Sequence, residues 1–139
     1  MGRILAVDYG NKRVGLAVTD TLQIIASPLE TVHAKDVLTY IKSYMQREPV
    51  EAIVVGMPRR LSGEATDATP HVIGFVRKLQ KDFPGVPVHT VDERFTSSMA
   101  QKAMLAGGLK KKARQDKATV DRVSAAIILQ SYLESRNIL

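Results

Sequence analysis

The sequence predicts an α/β fold: one mixed five-stranded sheet with helices on both faces. Three observations predict it. The first 32 residues hold three β-type runs with a tight glycine turn and no helical period, which reads as an antiparallel meander. Strand-like runs then alternate with segments of helical period, the pattern of βαβ units whose strands lie parallel. The first run, Ile4-Leu5-Ala6-Val7, is apolar at every position, as expected of a central strand covered on both faces.

Element by element, the first strand ends at Asp8-Tyr9-Gly10, and Asn11-Lys12-Arg13 leads into the second, Val14 to Val18. Ile24 to Val32 reads as a third strand, which Pro28 assigns to an edge. Asp36 opens a helix with Val37, Leu38, Ile41, Tyr44 and Met45 at helical spacing, stopping before Pro49. Ala52 to Gly56 is the fourth strand. After a polar loop from Pro58 to Thr66, a second helix carries Val72, Ile73, Val76 and Leu79 on one face and ends near Pro84-Gly85. Val86 to Val91 is the fifth strand. Thr96 or Ser97 caps a third helix reaching Gly107-Gly108, a basic loop follows, and Thr119 to Arg136 is the last helix, with Val120, Val123, Ile127 and Leu133 among its apolar positions.

The chain of 139 residues is sized for a single domain, residues 1–139, and its 45% hydrophobic and 24% charged content is that of a globular protein. With no cysteine, disulfides, thiolate-held zinc and thiol catalysis are excluded, which fits a cytoplasmic protein. No apolar run approaches the ~20 residues of a spanning helix, so no membrane partner is expected. The net charge of +6 favours polyanionic partners, and much of the excess is local. From Gln101 to Lys117 six cations, among them Lys110, Lys111, Lys112 and Arg114, stand against the single acid Asp116. That stretch suits contact with a phosphate backbone. Only three Phe, four Tyr and no Trp argue against an extended stacking surface for single strands.

Three carboxylates stand at element ends. Asp8 closes strand one, at the rim of the core, where a carboxylate needs hydrogen bonds, a cation or a raised pKa. Asp92-Glu93-Arg94 closes strand five, and alternation sends Asp92 and Glu93 to opposite faces, so at most one joins Asp8. Asp121 lies in the first turn of the last helix and shares its face with Ser124, Ala125 and Ile128. With strands one, four and five parallel, their C-terminal ends share the edge where active sites of open α/β sheets collect. Carboxylates gathered there cannot all ionise unless a cation neutralises them, and hard oxygen ligands suit Mg²⁺ or Mn²⁺. Two such ions about 4 Å apart activate water and stabilise the leaving oxygen in phosphodiester cleavage. Each acid also has a structural reading: Asp8 as acceptor for the Gly10 to Lys12 turn, Glu93 in a surface ion pair with Arg94, Asp121 as a favourable charge at a helix N-terminus. The hydroxyls of Thr96, Ser97 and Ser98 are explained by capping, and His33, His71 and His89 have no ligand spacing.

Taken together, Asp8-x-Gly10-x-Lys12-Arg13-x-Gly15-x-Ala17, Val54-Val55-Gly56-Met57-Pro58 with Gly63, Asp92-Glu93-Arg94-Phe95-Thr96-Ser97, and Asp121 leading into Ala125 to Leu133 resemble the YqgF (RuvX) family, in order and over nearly the whole chain. The resemblance implies a ribonuclease H-like fold related to Holliday junction resolvases. It also implies a bacterial nuclease maturing the 5′ end of precursor 16S ribosomal RNA. It would make Asp8, Glu93 and Asp121 the acidic, metal-holding site, with Lys12, Arg13 and Arg94 around it. Arg59 and Arg60 would be further nucleic-acid contacts, Arg60 standing where the family often has Asn. The better-known nucleases of that fold place an acid on strand four, where this chain has Gly56, so Glu93 would replace it, with Asp92 as its rival. The partner expected is structured RNA or branched DNA, bound by a monomer or weak homodimer. Two other classes compete: a phosphotransferase, since Asp-x-Gly before a glycine hairpin also resembles the first phosphate loop of the actin and sugar-kinase superfamily, and a non-catalytic RNA-binding assembly factor.

Overall fold

A computed structural model describes residues 2–58, 68–92 and 117–137. Strands β1 (Arg3–Tyr9), β2 (Arg13–Thr19) and β3 (Ala26–His33) form the antiparallel meander. A 3-10 turn, Ala34–Asp36, leads into helix α1 (Val37–Arg47), followed by β4 (Val50–Met57), helix α2 (Thr69–Asp82), β5 (Val88–Asp92) and the long helix α3 (Lys117–Asn137). The five strands are ordered β3-β2-β1-β4-β5, with β4 parallel to β1 and β5 parallel to β4. The expected mixed sheet is therefore the one formed. The expected third helix after Thr96, most of the polar loop after Pro58 and the basic loop lie outside the described residues.

The two faces of the sheet are built differently. Toward α1 and α2 it presents Leu5, Val7, Leu16, Ile53 and Val55, which pack on Val37, Ile41, Tyr44, Val72, Phe75 and Leu79. Toward α3 it presents Ala6, Ala17 and Ala52 beside Ile4 and Val54, packed on Ala125, Ile128, Leu129 and Leu133. Small residues on that face let α3 lie close over the strands. Ile4 to Val7 are each 1% exposed or less, as the continuous apolar run requires.

Several boundaries differ from the sequence reading, each for a local reason. Strand β3 begins at Ala26, because the Asp20 carboxylate accepts the backbone N–H groups of Leu22, Ile24 and Ile25 at 3.2, 2.9 and 2.8 Å and holds Ile24 and Ile25 out of the ladder. Strand β5 begins at Val88: Val86 donates to Phe83 O at 3.0 Å in a turn, and Pro87 has no N–H to give. On α2 the buried stripe is Val72, Phe75 and Leu79, which leaves Ile73 39% exposed off that stripe. Helix α3 starts at Lys117, two residues early, so Asp121 lies in its second turn and the reading of Asp121 as a helix-terminal charge loses its basis. Its packed face is Ser124, Ala125, Ile128, Leu129 and Leu133, while Val120, Val123 and Ile127 are half-buried.

The Asp20 turn carries a pH prediction. The Ile25 and Ile24 amides hold its carboxyl below its ordinary value of 3.8. A depressed folded pKa stabilises the turn fully above the unfolded value, and that contribution is lost as pH falls through the folded one. Protection of the Leu22, Ile24 and Ile25 amides, taken relative to the intrinsic exchange rate at each pH, is therefore expected to hold near neutral pH and to fall only below about pH 4. Equal exchange rates at these amides in Asp20→Asn and wild type at neutral pH would rule the ionised carboxylate out as the organiser.

Candidate active site

The site is assembled by one row of residues running across the sheet. Asp8 pairs with Gly15, and Gly15 pairs with Thr31. On the other side, Val7 pairs with Val55, which brings the following residues, Asp8 and Gly56, alongside each other, and Gly56 pairs with Val91. Strand parity places this row on the α3 face, with Ile4, Ala6, Ala17, Val54 and Val91. Asp8 thus stands between two glycines, and no side chain flanks it on either neighbouring strand.

The glycine at 15 is what admits Asp121. A Cβ there would stand 2.0 Å from the Asp121 carbonyl oxygen, 2.4 Å from its carbonyl carbon and 3.1 Å from Arg122 N. Only glycine permits helix backbone at that distance from the strand. One residue pair further along the row, Thr31 Oγ1 donates to Ala118 O at 2.7 Å and pins the first turn of α3 to β3. The helix therefore crosses the row over β3 and β2, next to Asp8.

The hairpin between β1 and β2 supplies the cations. Its turn is tight, since a Cβ on Gly10 would lie 2.6 Å from Arg13 O. Arg13, first residue of β2, donates from Nε to Asp121 Oδ2 at 2.7 Å, a charge-assisted bond between side chains 45% and 20% exposed. Asp8, Gly10, Asn11, Lys12, Arg13 and Asp121 line one cleft of about 350 Å³. Four sequence-predicted site residues, Asp8, Lys12, Arg13 and Asp121, are thus brought together.

Asp92 is not among them. It pairs with Met57, and its parity is that of Val88, which packs with Met57 on the α1/α2 core, so it belongs to the face opposite Asp8. Glu93, Arg94, Arg59, Arg60, Lys110, Lys111, Lys112 and Arg114 lie outside the described residues. The three histidines are exposed: His33 Nδ1 accepts from Lys35 N at 3.1 Å, and His89 stacks on Tyr132 with ring centroids 5.5 Å apart. Among the described residues no group of three or more His, Asp or Glu is gathered as a metal site. The donor chemistry still fits a divalent ion. Two carboxylates in a cleft with room for water match the way Mg²⁺ is held, by one or two carboxylates with water and phosphate oxygens completing the shell.

Sequence reasoning missed the seat of α3. The Gly15 contact and the Thr31 bond join residues far apart in the chain, and no local pattern marks them. The Arg13–Asp121 pair, 108 positions apart, is equally invisible in one dimension.

A family model described as "RuvX: Holliday junction resolvase" matches residues 2–135. The chain belongs to the RuvX family. RuvX relatives include a Phocaeicola vulgatus protein, 55% identical over 98% of both chains, and one from Bacteroides thetaiotaomicron, 54% identical over 98% of this chain and 99% of that one. Both carry the name "Putative pre-16S rRNA nuclease". RuvX proteins are nucleases, hydrolases of phosphodiester bonds. Among solved structures, Thermus thermophilus RuvC in complex with a Holliday junction substrate superposes with a TM-score of 0.59 at 18% identity, covering 99% of this chain and 96% of that one. The fowlpox virus Holliday junction resolvase gives 0.56 at 15% identity, covering 96% and 99%. At that identity the likeness establishes the fold, and the RuvX chain has the ribonuclease H-like architecture.

Proposed function

We propose that the protein is a divalent-metal-dependent endonuclease that cleaves structured RNA, processing the 5′ end of precursor 16S ribosomal RNA. The observation that carries this reading is the meeting of Asp8 and Asp121 with Lys12 and Arg13 in one cleft, in a chain half identical to relatives named for that RNA. Asp8 and Asp121 would hold Mg²⁺ or Mn²⁺, which supplies polarisation of the phosphate and a water acidified for attack. Glu93 is proposed as the third acid, a choice supported by Asp92 facing the other layer. Lys12 and Arg13 hold the phosphate from the hairpin side, and Arg59, Arg60, Arg94, Lys110, Lys111, Lys112 and Arg114 are proposed to extend that contact along the backbone. The working unit is proposed to be a single domain of residues 1–139, a cytoplasmic monomer or weak homodimer.

A second reading, branched DNA as substrate, is favoured by the description of the family model. The test is a side-by-side cleavage assay on a 5′-extended 16S precursor fragment and a four-way DNA junction. It compares wild type and Asp8→Asn in Mg²⁺, in Mn²⁺ and with chelator. Cleavage of the RNA that needs metal and Asp8 is the expected result. Cleavage of the junction alone transfers the activity to DNA, and cleavage of neither overturns both readings in favour of a non-catalytic factor.

A further inference from the structure

Arg13 does something in the free protein that a phosphate-binding arginine need not do: it holds a carboxylate assigned to the metal. Its Nε sits 2.7 Å from Asp121 Oδ2. The bond keeps a guanidinium cation on Asp121. A divalent ion at Asp121 and the Arg13 guanidinium therefore compete for the charge of the same carboxylate.

The surroundings of Arg13 let the side chain move while the backbone stays. Its Cα is fixed by pairing with His33 across β2 and β3, by the tight Gly10 turn, and by Ala34 N donating to Lys12 O at 2.9 Å. The side chain is 45% exposed and belongs to neither core, so leaving Asp121 costs little packing. It already lines the cleft that Asp8 lines, within reach of any phosphate entering there. A guanidinium binds phosphate through two parallel N–H bonds, a stronger match than the single Nε bond recorded here.

We infer that Arg13 is an exchangeable counter-ion for Asp121, which it releases to the metal when a phosphodiester takes the guanidinium. Rotation of one side chain thereby couples metal binding to substrate binding: the free protein holds the ion weakly, and the phosphate strengthens it. By linkage the ion strengthens the phosphate by the same factor. This inference rests on the metal-dependent reading of the site and adds the side chain through which metal and phosphate strengthen each other.

The test is calorimetric titration of the full chain with Mn²⁺ alone, in the absence of nucleic acid. Five proteins are compared: wild type, Arg13→Gln, Arg13→Lys, Lys12→Gln and Asp8→Asn. Arg13→Gln is expected to tighten Mn²⁺ by about fivefold or more, the lower end of ordinary coupling between sites. Arg13→Lys, which keeps a cation beside Asp121, should stay near wild type. Lys12→Gln removes the same charge from the same cleft and controls for its general field, so it should tighten Mn²⁺ less. Asp8→Asn should lose the binding. If wild type binds Mn²⁺ through Asp8 but Arg13→Gln binds no more tightly than wild type or Lys12→Gln, the exchange is overturned while the metal site stands. If no protein shows Asp8-dependent binding, the metal reading falls and the inference falls with it.

Discussion

Gly15→Ala is expected to damage stability and cleavage together, although it adds only one methyl group and removes no polar or charged atom from the site. The added carbon would lie 2.0 Å from the Asp121 carbonyl oxygen, and its other near neighbours, the Asp121 carbonyl carbon and Arg122 N, are also helix backbone. Backbone cannot rotate aside as a side chain can, so α3 must lift or β2 must bend. The helix resists, because Ala125, Ile128, Leu129 and Leu133 are buried against the sheet and Thr31 holds its first turn at Ala118. Overpacking costs about 1–3 kcal/mol, and with backbone on both sides the upper end is expected. A displacement of Asp121 by ~1 Å would lower cleavage by about 100-fold. Gly74→Ala is the control: nothing lies within 4 Å of a Cβ at that helical position, and it should be neutral or stabilising. Urea unfolding and cleavage rates decide the matter. A Gly15→Ala protein that unfolds at the wild-type midpoint and cuts at the wild-type rate would show that Gly15 is not the seat of the helix.

The contrast between what was legible in the chain and what was not follows from the range of the forces involved. The meander, the two parallel strands and the covering helices were readable because alternation and helical period are local, and Ile4 to Val7 announced a strand buried on both sides. Boundaries failed where a side chain intervened, as Asp20 does at Ile24 and Ile25. Asp8 could be singled out from its place at a strand end. Its meeting with Asp121 depends instead on Gly15, Thr31 and the small residues of one sheet face, which act across strands. Alternation framed the choice between Asp92 and Glu93, and the face of Asp92 needed the register of β5 against β4. The sequence also assigned Arg13 to nucleic acid and gave no sign that the same guanidinium holds Asp121.

Asp8→Asn and Asp121→Asn are each expected to lower cleavage by at least about 100-fold, the upper end of what loss of a metal site's supporting residues costs. Both changes are close to isosteric, so the fold should persist and the loss should appear in the rate. Asp8 has Gly15 and Gly56 beside it on the two flanking strands, so neither adjacent position in the row carries a second carboxylate to replace it. For Asp121 the amide oxygen still accepts from Arg13 Nε, so the helix keeps its tether while the charge that attracts a cation is gone. The double variant is the sharper measurement. If the two carboxylates serve one centre, removing the second after the first costs almost nothing, and the combined loss should match the worse single loss rather than their product. Losses that multiply would mean that Asp8 and Asp121 act independently, one in chemistry and the other in holding substrate, and the shared metal centre would have to be given up even though both residues line the same cleft.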